Sequence, residues 1–412
     1  MGVRKPLGRR SFVKKCALGS AGLVAIGTPG VAGAFVANER IRLGAIGTGG
    51  RCRRVLIPSA QKCKGVEVTA VCDVQDQRIE QARALIKPSA FFTRYHEKIL
   101  ERKDIDGVLI GTSDHWHVPI TIDACAAGKD VYVEKPLTHN PSDGPAVIDA
   151  QNTHKRIIQV GMQQRSMPQF QKAREIVRSG KLGAVHKVHL TWNRNMPIHF
   201  KRYGTDPKSV DWKRYLGRAP DQPFNEWRLK HFRWFWDFGG GILTDLMVHY
   251  IDVANWLLDL KEPTTAMTIG DHFQSKGVWE TPDTMQSLFT YPEQQVQLYF
   301  EGTFSNARNR AMLEFMGTDA TLYLDRGRYE IYPEKDSVKY EQFSPGKSER
   351  GADFDAAVKG GLMHMQNFID CMRSREKPRA PAEVGVLAVT SAHLGNHAYR
   401  TGKVAHWADI AP

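Results

Sequence analysis

Cysteine is scarce in this chain, with six in 412 residues. The five beyond position 34 (Cys52, Cys63, Cys72, Cys125, Cys371) are odd in number and scattered, so no disulfide framework is implied. Cys52, Cys63 and Cys72 lack zinc-type spacing. Internal repeats and low-complexity tracts are missing as well, which excludes a solenoid or a linker protein. No basic run is interleaved with aromatics, which argues against nucleic acid as a partner even though the formal charge is +13. Acids are absent from the first 34 residues, which hold six of the bases; setting those six aside leaves a mild +7. At this length, with 42% hydrophobic and 25% charged residues, the chain has room for two domains.

The acid-free beginning reads as an address. Arg9-Arg10-Ser11-Phe12-Val13-Lys14 is a twin-arginine pattern, followed by a weakly apolar run and an A-x-A site at Ala32-Gly33-Ala34. Gly27, Pro29, Gly30 and Gly33 break that run short of the ~20 residues a membrane span needs. Residues 1–34 are therefore expected to be a twin-arginine signal peptide, with the export machinery as partner, no stable membrane span and a periplasmic or otherwise exported location.

Beyond it, strand and helix alternate. A strand is expected at 40–46, followed by Gly47-Thr48-Gly49-Gly50-Arg51-Cys52 opening a helix. This is a G-x-G-x-x-G arrangement with cysteine in the third glycine place. Such a turn brings backbone close to a pyrophosphate at a helix N-terminus. The strand at 66–72 ends in Asp73, an acid placed to bond adenosine ribose hydroxyls and to favour NAD over NADP, with Arg51 and Arg78 as offsetting cations. Helices at 77–85, 118–127 and 143–153 and strands at 106–111, 131–133 and 157–161 continue the pattern. The expectation is a doubly wound parallel sheet over 39–161. The strand Val131-Tyr132-Val133 stops at Glu134-Lys135-Pro136, where proline cannot continue the ladder. Strand carboxyl ends are where such sheets bind ligands, which makes Lys135 a functional candidate. Thr112-Ser113-Asp114-His115-Trp116-His117 lies at another strand end. Its two histidines have no third ligand nearby in sequence, so cofactor contact is preferred to a metal.

These motifs in this order, with Val160-Gly161-Met162-Gln163-Gln164-Arg165 following, resemble the glucose–fructose oxidoreductase/inositol dehydrogenase (Gfo/Idh/MocA) family over residues 40–400. The resemblance implies a Rossmann domain followed, over 162–412, by an α+β domain with a large open, mixed and mainly antiparallel sheet. That sheet is expected to join copies into a dimer or tetramer. It also implies that Lys135 lies beside the nicotinamide and the substrate hydroxyl. The expected cofactor contacts are Gly47, Thr48, Gly49, Gly50, Arg51, Asp73, Thr112, Asp114, His117, Glu134, Lys135 and Gln163.

In the second half a helix is expected at 169–179, strands at 185–192, 266–271, 285–291, 295–303, 311–316, 321–324 and 329–333, a loop at 334–353 and a last helix at 382–401. The stretch 192–236 is rich in tryptophan and tyrosine. Two or three of these rings could stack on a sugar, the rest serving as core. Gly239-Gly240-Gly241 opens a helix with Asp245, His249 and Asp252 on one face. A carboxylate beside an imidazole raises its basicity and fixes its tautomer, which suits a general base. The family resemblance implies that Asp245 and His249 are catalytic, with Asp252 structural. Substrate contacts are expected from Lys135, Arg165, Trp192 and His249.

The expected activity is hydride transfer from a CH–OH of a sugar, cyclitol or glycoside to NAD, which export in the folded state would require to be tightly held. Two alternatives stand beside it: an NAD-dependent glycosidase using transient C3 oxidation and elimination, and a sugar-sensing protein without turnover.

Overall fold

The computed structural model describes residues 40–196, 198–335, 341–343, 350 and 360–411. The expected export signal, and most of the loop at 334–353, lie outside the described residues. The described part of that loop includes a short strand, Glu341–Phe343, which pairs with the strand before it at the sheet edge rather than looping free.

Six short strands make the first sheet: β1 (Ile41–Ile46), β2 (Val66–Cys72), β3 (Phe91–Thr93), β4 (Gly107–Ile110), β5 (Asp130–Val133) and β6 (Ile158–Val160). All pair in parallel, in the order β3-β2-β1-β4-β5-β6. Their interior strands are near-continuous apolar runs because helices cover both faces, and β4 and β5 are buried at every position. The order reverses beside β1, so the carboxyl ends of β1, β2 and β4 face a shared crevice.

The second sheet has nine strands: β7 (Val185–Asn193), β8 (Thr265–Asp271), β9 (Thr284–Tyr291), β10 (Val296–Thr303), β11 (Ala311–Gly317), β12 (Ala320–Leu324), β13 (Tyr329–Pro333), β14 (Glu341–Phe343) and β15 (Ala405–His406). Their order is β14-β13-β12-β11-β7-β10-β9-β8-β15. Only β7 and β10 run parallel; the other pairs are antiparallel. Burial alternates along β9 and β10, the mark of a sheet with one covered and one open face. Both expected architectures are therefore present.

Two helices tie the sheets together. Ala382–Thr401, expected with these bounds, has apolar residues in the same core as β6 and β8. Gly360–Ser374 was not anticipated. Its Met365, Phe368 and Ile369 pack with Leu43, Leu109 and Tyr132, so it completes the core of the first sheet although it follows the whole second sheet in sequence. None of the described helices is long and apolar enough to cross a membrane.

Candidate active site

The glycine-rich turn lies between β1 and a helix that begins at Gly50 and carries a π-turn at Cys52–Leu56. Gly47 has φ +76, and a Cβ there would sit 2.6 Å from the backbone nitrogen of Thr112, so only glycine fits the turn. The cysteine in the third glycine place is accommodated from the other side. Gly111, at the end of β4, lies so close to Cys52 that a Cβ on it would stand 3.1 Å from the cysteine's own. Asp73 follows β2 and accepts from Thr48 N at 2.7 Å and Gln75 N at 3.0 Å, which pins its carboxylate beside the turn. A cleft opens next to it, lined by Gly47, Asp73, Arg78, Thr112, Arg214 and Tyr215 among others.

Lys135 joins the two halves. Its Nζ donates to Asp245 Oδ1 at 2.7 Å and to the Asp245 carbonyl at 2.6 Å. Arg233 Nε donates to the same Oδ1 at 2.9 Å. Burial pushes the Asp245 carboxyl up, but the Lys135 and Arg233 charges outweigh it and hold the group well below the ordinary carboxylate range. Asp114 is buried close by and behaves oppositely. Burial lifts its carboxyl to about 7, with Arg233 and Lys135 pulling down and Asp245 and Glu134 adding to the rise.

Asp245 does not support His249, contrary to the i, i+4 expectation. A π-turn at Leu243–Met247 inserts a residue into the helix between them and shifts the register. Asp245 turns to Lys135 and Arg233, while His249 stacks on Trp192 with ring centres 5.5 Å apart, its Nδ1 buried without a partner. Burial, followed by the charges of Lys135, Arg326, Arg51 and Arg194, drives its basicity far down, so the ring is uncharged.

Two expected substrate contacts also change role. Trp192 is only 1% exposed and is packed against His249 and Tyr250, with the Arg326 guanidinium 4.8 Å from its ring; it walls the site from behind, since a buried indole has no face to offer a sugar. Arg165 spends its fork on Asp252, with Nε at 2.9 Å from Oδ2 and Nη2 at 2.8 Å from Oδ1, a buried pair in which Asp252 is structural as expected.

The remaining expected contacts lie at the carboxyl ends of β4, β5 and β6. Glu134 accepts from Arg51 Nε at 2.7 Å, and His117 Nδ1 meets the Pro136 carbonyl at 2.7 Å. Burial lowers His117 to about 4, so it too is uncharged. Thr112 Oγ1 and Gln163 Oε1 are buried with no partner within the protein. Thr112 Oγ1, against the positive-φ Gly47, and Gln163 Oε1, just past β6, fit a bound dinucleotide, whose polar groups would satisfy them. Sequence reasoning missed Arg233, in a single 3-10 turn at Phe232–Trp234, and Arg194 and Arg326, in loops, because no motif marks any of them. Among the described residues no group of three His, Cys, Asp or Glu side chains is placed to hold a metal.

Fold and site thus define a Rossmann-type NAD-binding protein whose second, open-sheet half supplies part of the site. Comparison with known proteins gives the family. The model for the oxidoreductase family with an NAD-binding Rossmann fold matches residues 41–162, and that for the GFO/IDH/MocA C-terminal domain matches 170–323, together more than half of the chain. The chain belongs to the Gfo/Idh/MocA oxidoreductase family. It is 28% identical over 235 residues to an oxidoreductase of Rhizobium meliloti, ORF334, covering 57% of this chain and 60% of that one. It is 26% identical over 222 residues to the inositol 2-dehydrogenase of Acidiphilium cryptum, covering 53% and 54%. The chain thus matches little more than half the length of these relatives. A levoglucosan dehydrogenase solved with NADH and levoglucosan superposes with a TM-score of 0.70 at 16% identity, over 89% of this chain and 99% of that one, a likeness of fold.

Proposed function

We propose that the protein is an exported oxidoreductase that transfers a hydride between a CH–OH of a sugar, cyclitol or glycoside and an NAD that it holds tightly. The observation that carries this reading is Lys135, bonded to Asp245 across the two halves of the chain and adjacent to an uncharged His249. The relatives bear on the substrate only as inositol and sugar dehydrogenases. The twin-arginine pattern supports export.

When bound, NAD supplies the hydride acceptor. The chain's own residues handle the proton. Two of the three Lys135 donors are spent on Asp245, leaving one to hold the substrate oxygen. Arg233 and Lys135 keep Asp245 ionised, so it anchors the lysine and is a poor proton acceptor. Burial and the surrounding cations weaken His249 as a base, but they leave its ring uncharged with a lone pair to receive the hydroxyl proton. The same cations favour an alkoxide on the substrate, which offsets that weakness. As hydride leaves the carbinol carbon, that carbon becomes a carbonyl.

Lys135→Met should abolish turnover, by roughly 10² or more for loss of a positioned proton-handling group, while NADH binding, followed by fluorescence, persists. Wild-type rates in that variant would sink the assignment. Product analysis separates the chemistry: a ketone or lactone product supports oxidation, and glycoside cleavage with no net redox change contradicts it.

A further inference from the structure

We infer that a segment of the second half, Val210–Tyr215, is the outer wall of the nucleotide cleft and sets how fast the cofactor leaves. The inference rests on the NAD-binding reading of that cleft. The segment reaches back onto the first sheet and is fastened there at several independent points. Val210 forms an antiparallel bridge with Gln75, and Asp211 N donates to the Val74 carbonyl at 2.9 Å, so backbone is bonded to backbone immediately after Asp73. Arg214 Nη1 donates to both oxygens of Glu97, at 2.9 and 3.1 Å, and its guanidinium lies 4.5 Å from the Tyr95 ring centre. The Tyr215 carbonyl accepts from Trp116 Nε1 at 2.8 Å and meets His115 Nε2 at 2.8 Å. Burial lowers His115 to about 3, so this contact does not switch near neutral pH. Within the segment, Trp212 and Tyr215 stack with ring centres 5.0 Å apart, which stiffens it.

Arg214 and Tyr215 line the same cleft as Gly47, Asp73 and Thr112. An adenosine seated beside Asp73 would therefore lie between the first sheet and this strap, and could leave only when the strap lifts. Lifting breaks backbone bonds, an ion pair and an indole bond together, a cooperative cost that slows release more than it slows the chemistry. Arg214 is a positioning residue in this account: it holds the strap through Glu97.

Stopped-flow chase of NADH from the full-length protein by excess NAD tests this, alongside AMP binding by calorimetry. Glu97→Gln loosens the strap without touching the cleft lining and should speed NADH release a few-fold, as expected for a partly exposed ion pair. Arg214→Ala also loses the Tyr95 contact and one cleft wall; it should speed release about tenfold or more and weaken AMP in proportion. The melting temperature without nucleotide should stay near wild type in Glu97→Gln. NADH binding with equal release rates in wild type and both variants would overturn the strap while leaving the NAD reading intact. Absence of any NADH or AMP binding by the wild type would overturn both.

Discussion

Asp114 shows what a single buried group adds to pH behaviour. Its carboxyl is lifted to about 7 in the fold, against about 3.9 in an unfolded chain. The folded state therefore binds the extra proton between those values, and the stability this contributes is full below about pH 4 and is lost as pH rises through 7. Asp114→Asn mimics the protonated form. Its melting temperature should exceed that of wild type at pH 8, with the gap closing towards pH 4; an unchanged gap would contradict the assignment. The buried histidines work in the other direction. His117, His364 and His393 are each lowered to about 4 by burial, so their contribution is present above about 6.5 and is lost as pH falls. At this scale the sequence was partly legible. Lys135 and Asp245, which the structure bonds to each other, could be singled out in the sequence because each sits in a motif at an element's end. The charge state of His249 was not, because burial and four cations from separate segments fix it, and no local pattern records that.

Elements were more legible than the links between them. Most long strands were readable to within a residue or two, as alternation along β9 and β10 and as short apolar runs in the first sheet. The two- and three-residue edge strands β3, β14 and β15 were not, being too short to show a period. The π-turn at Leu243–Met247 left no such trace, since the apolar spacing around it passes for an ordinary helix. Its effect was to undo the expected Asp245–His249 pair. The helix Gly360–Ser374 was missed because the polar, glycine-containing stretch before it reads as a continuing loop. The glycine turn permits a sharper claim. Gly47→Ala would place a Cβ in contact with Thr112 at positive φ. It should cost about 1–3 kcal/mol of stability in thermal unfolding and weaken NADH binding. Wild-type behaviour in both would show that the turn tolerates a side chain.

Across the whole molecule, the open face of the second sheet invites a second copy. Met267 on β8 lies directly across from Leu288 on β9, both exposed, and Ile269 beside them is 67% exposed. Exposed apolar groups on a paired sheet surface mark association sites. Light scattering after size exclusion should give a dimer or larger for wild type, and Ile269→Lys should shift it towards monomer. Wild-type monomer at micromolar concentration would refute association through this face. That face was not legible residue by residue beforehand, because exposure depends on what the helices leave uncovered.

The late helix Gly360–Ser374 also bears on how the protein is made. An N-terminal domain ordinarily folds while the rest of the chain is still on the ribosome. Here Met365, Phe368 and Ile369 arrive only after the last long strand has been synthesised, yet they belong to the core under β1, β4 and β5. The nucleotide-binding half must therefore wait for nearly the entire chain to emerge before its interior closes. A prematurely terminated copy is left with bare apolar surface and a half-built cleft, so translation to the end becomes a condition for taking up the cofactor.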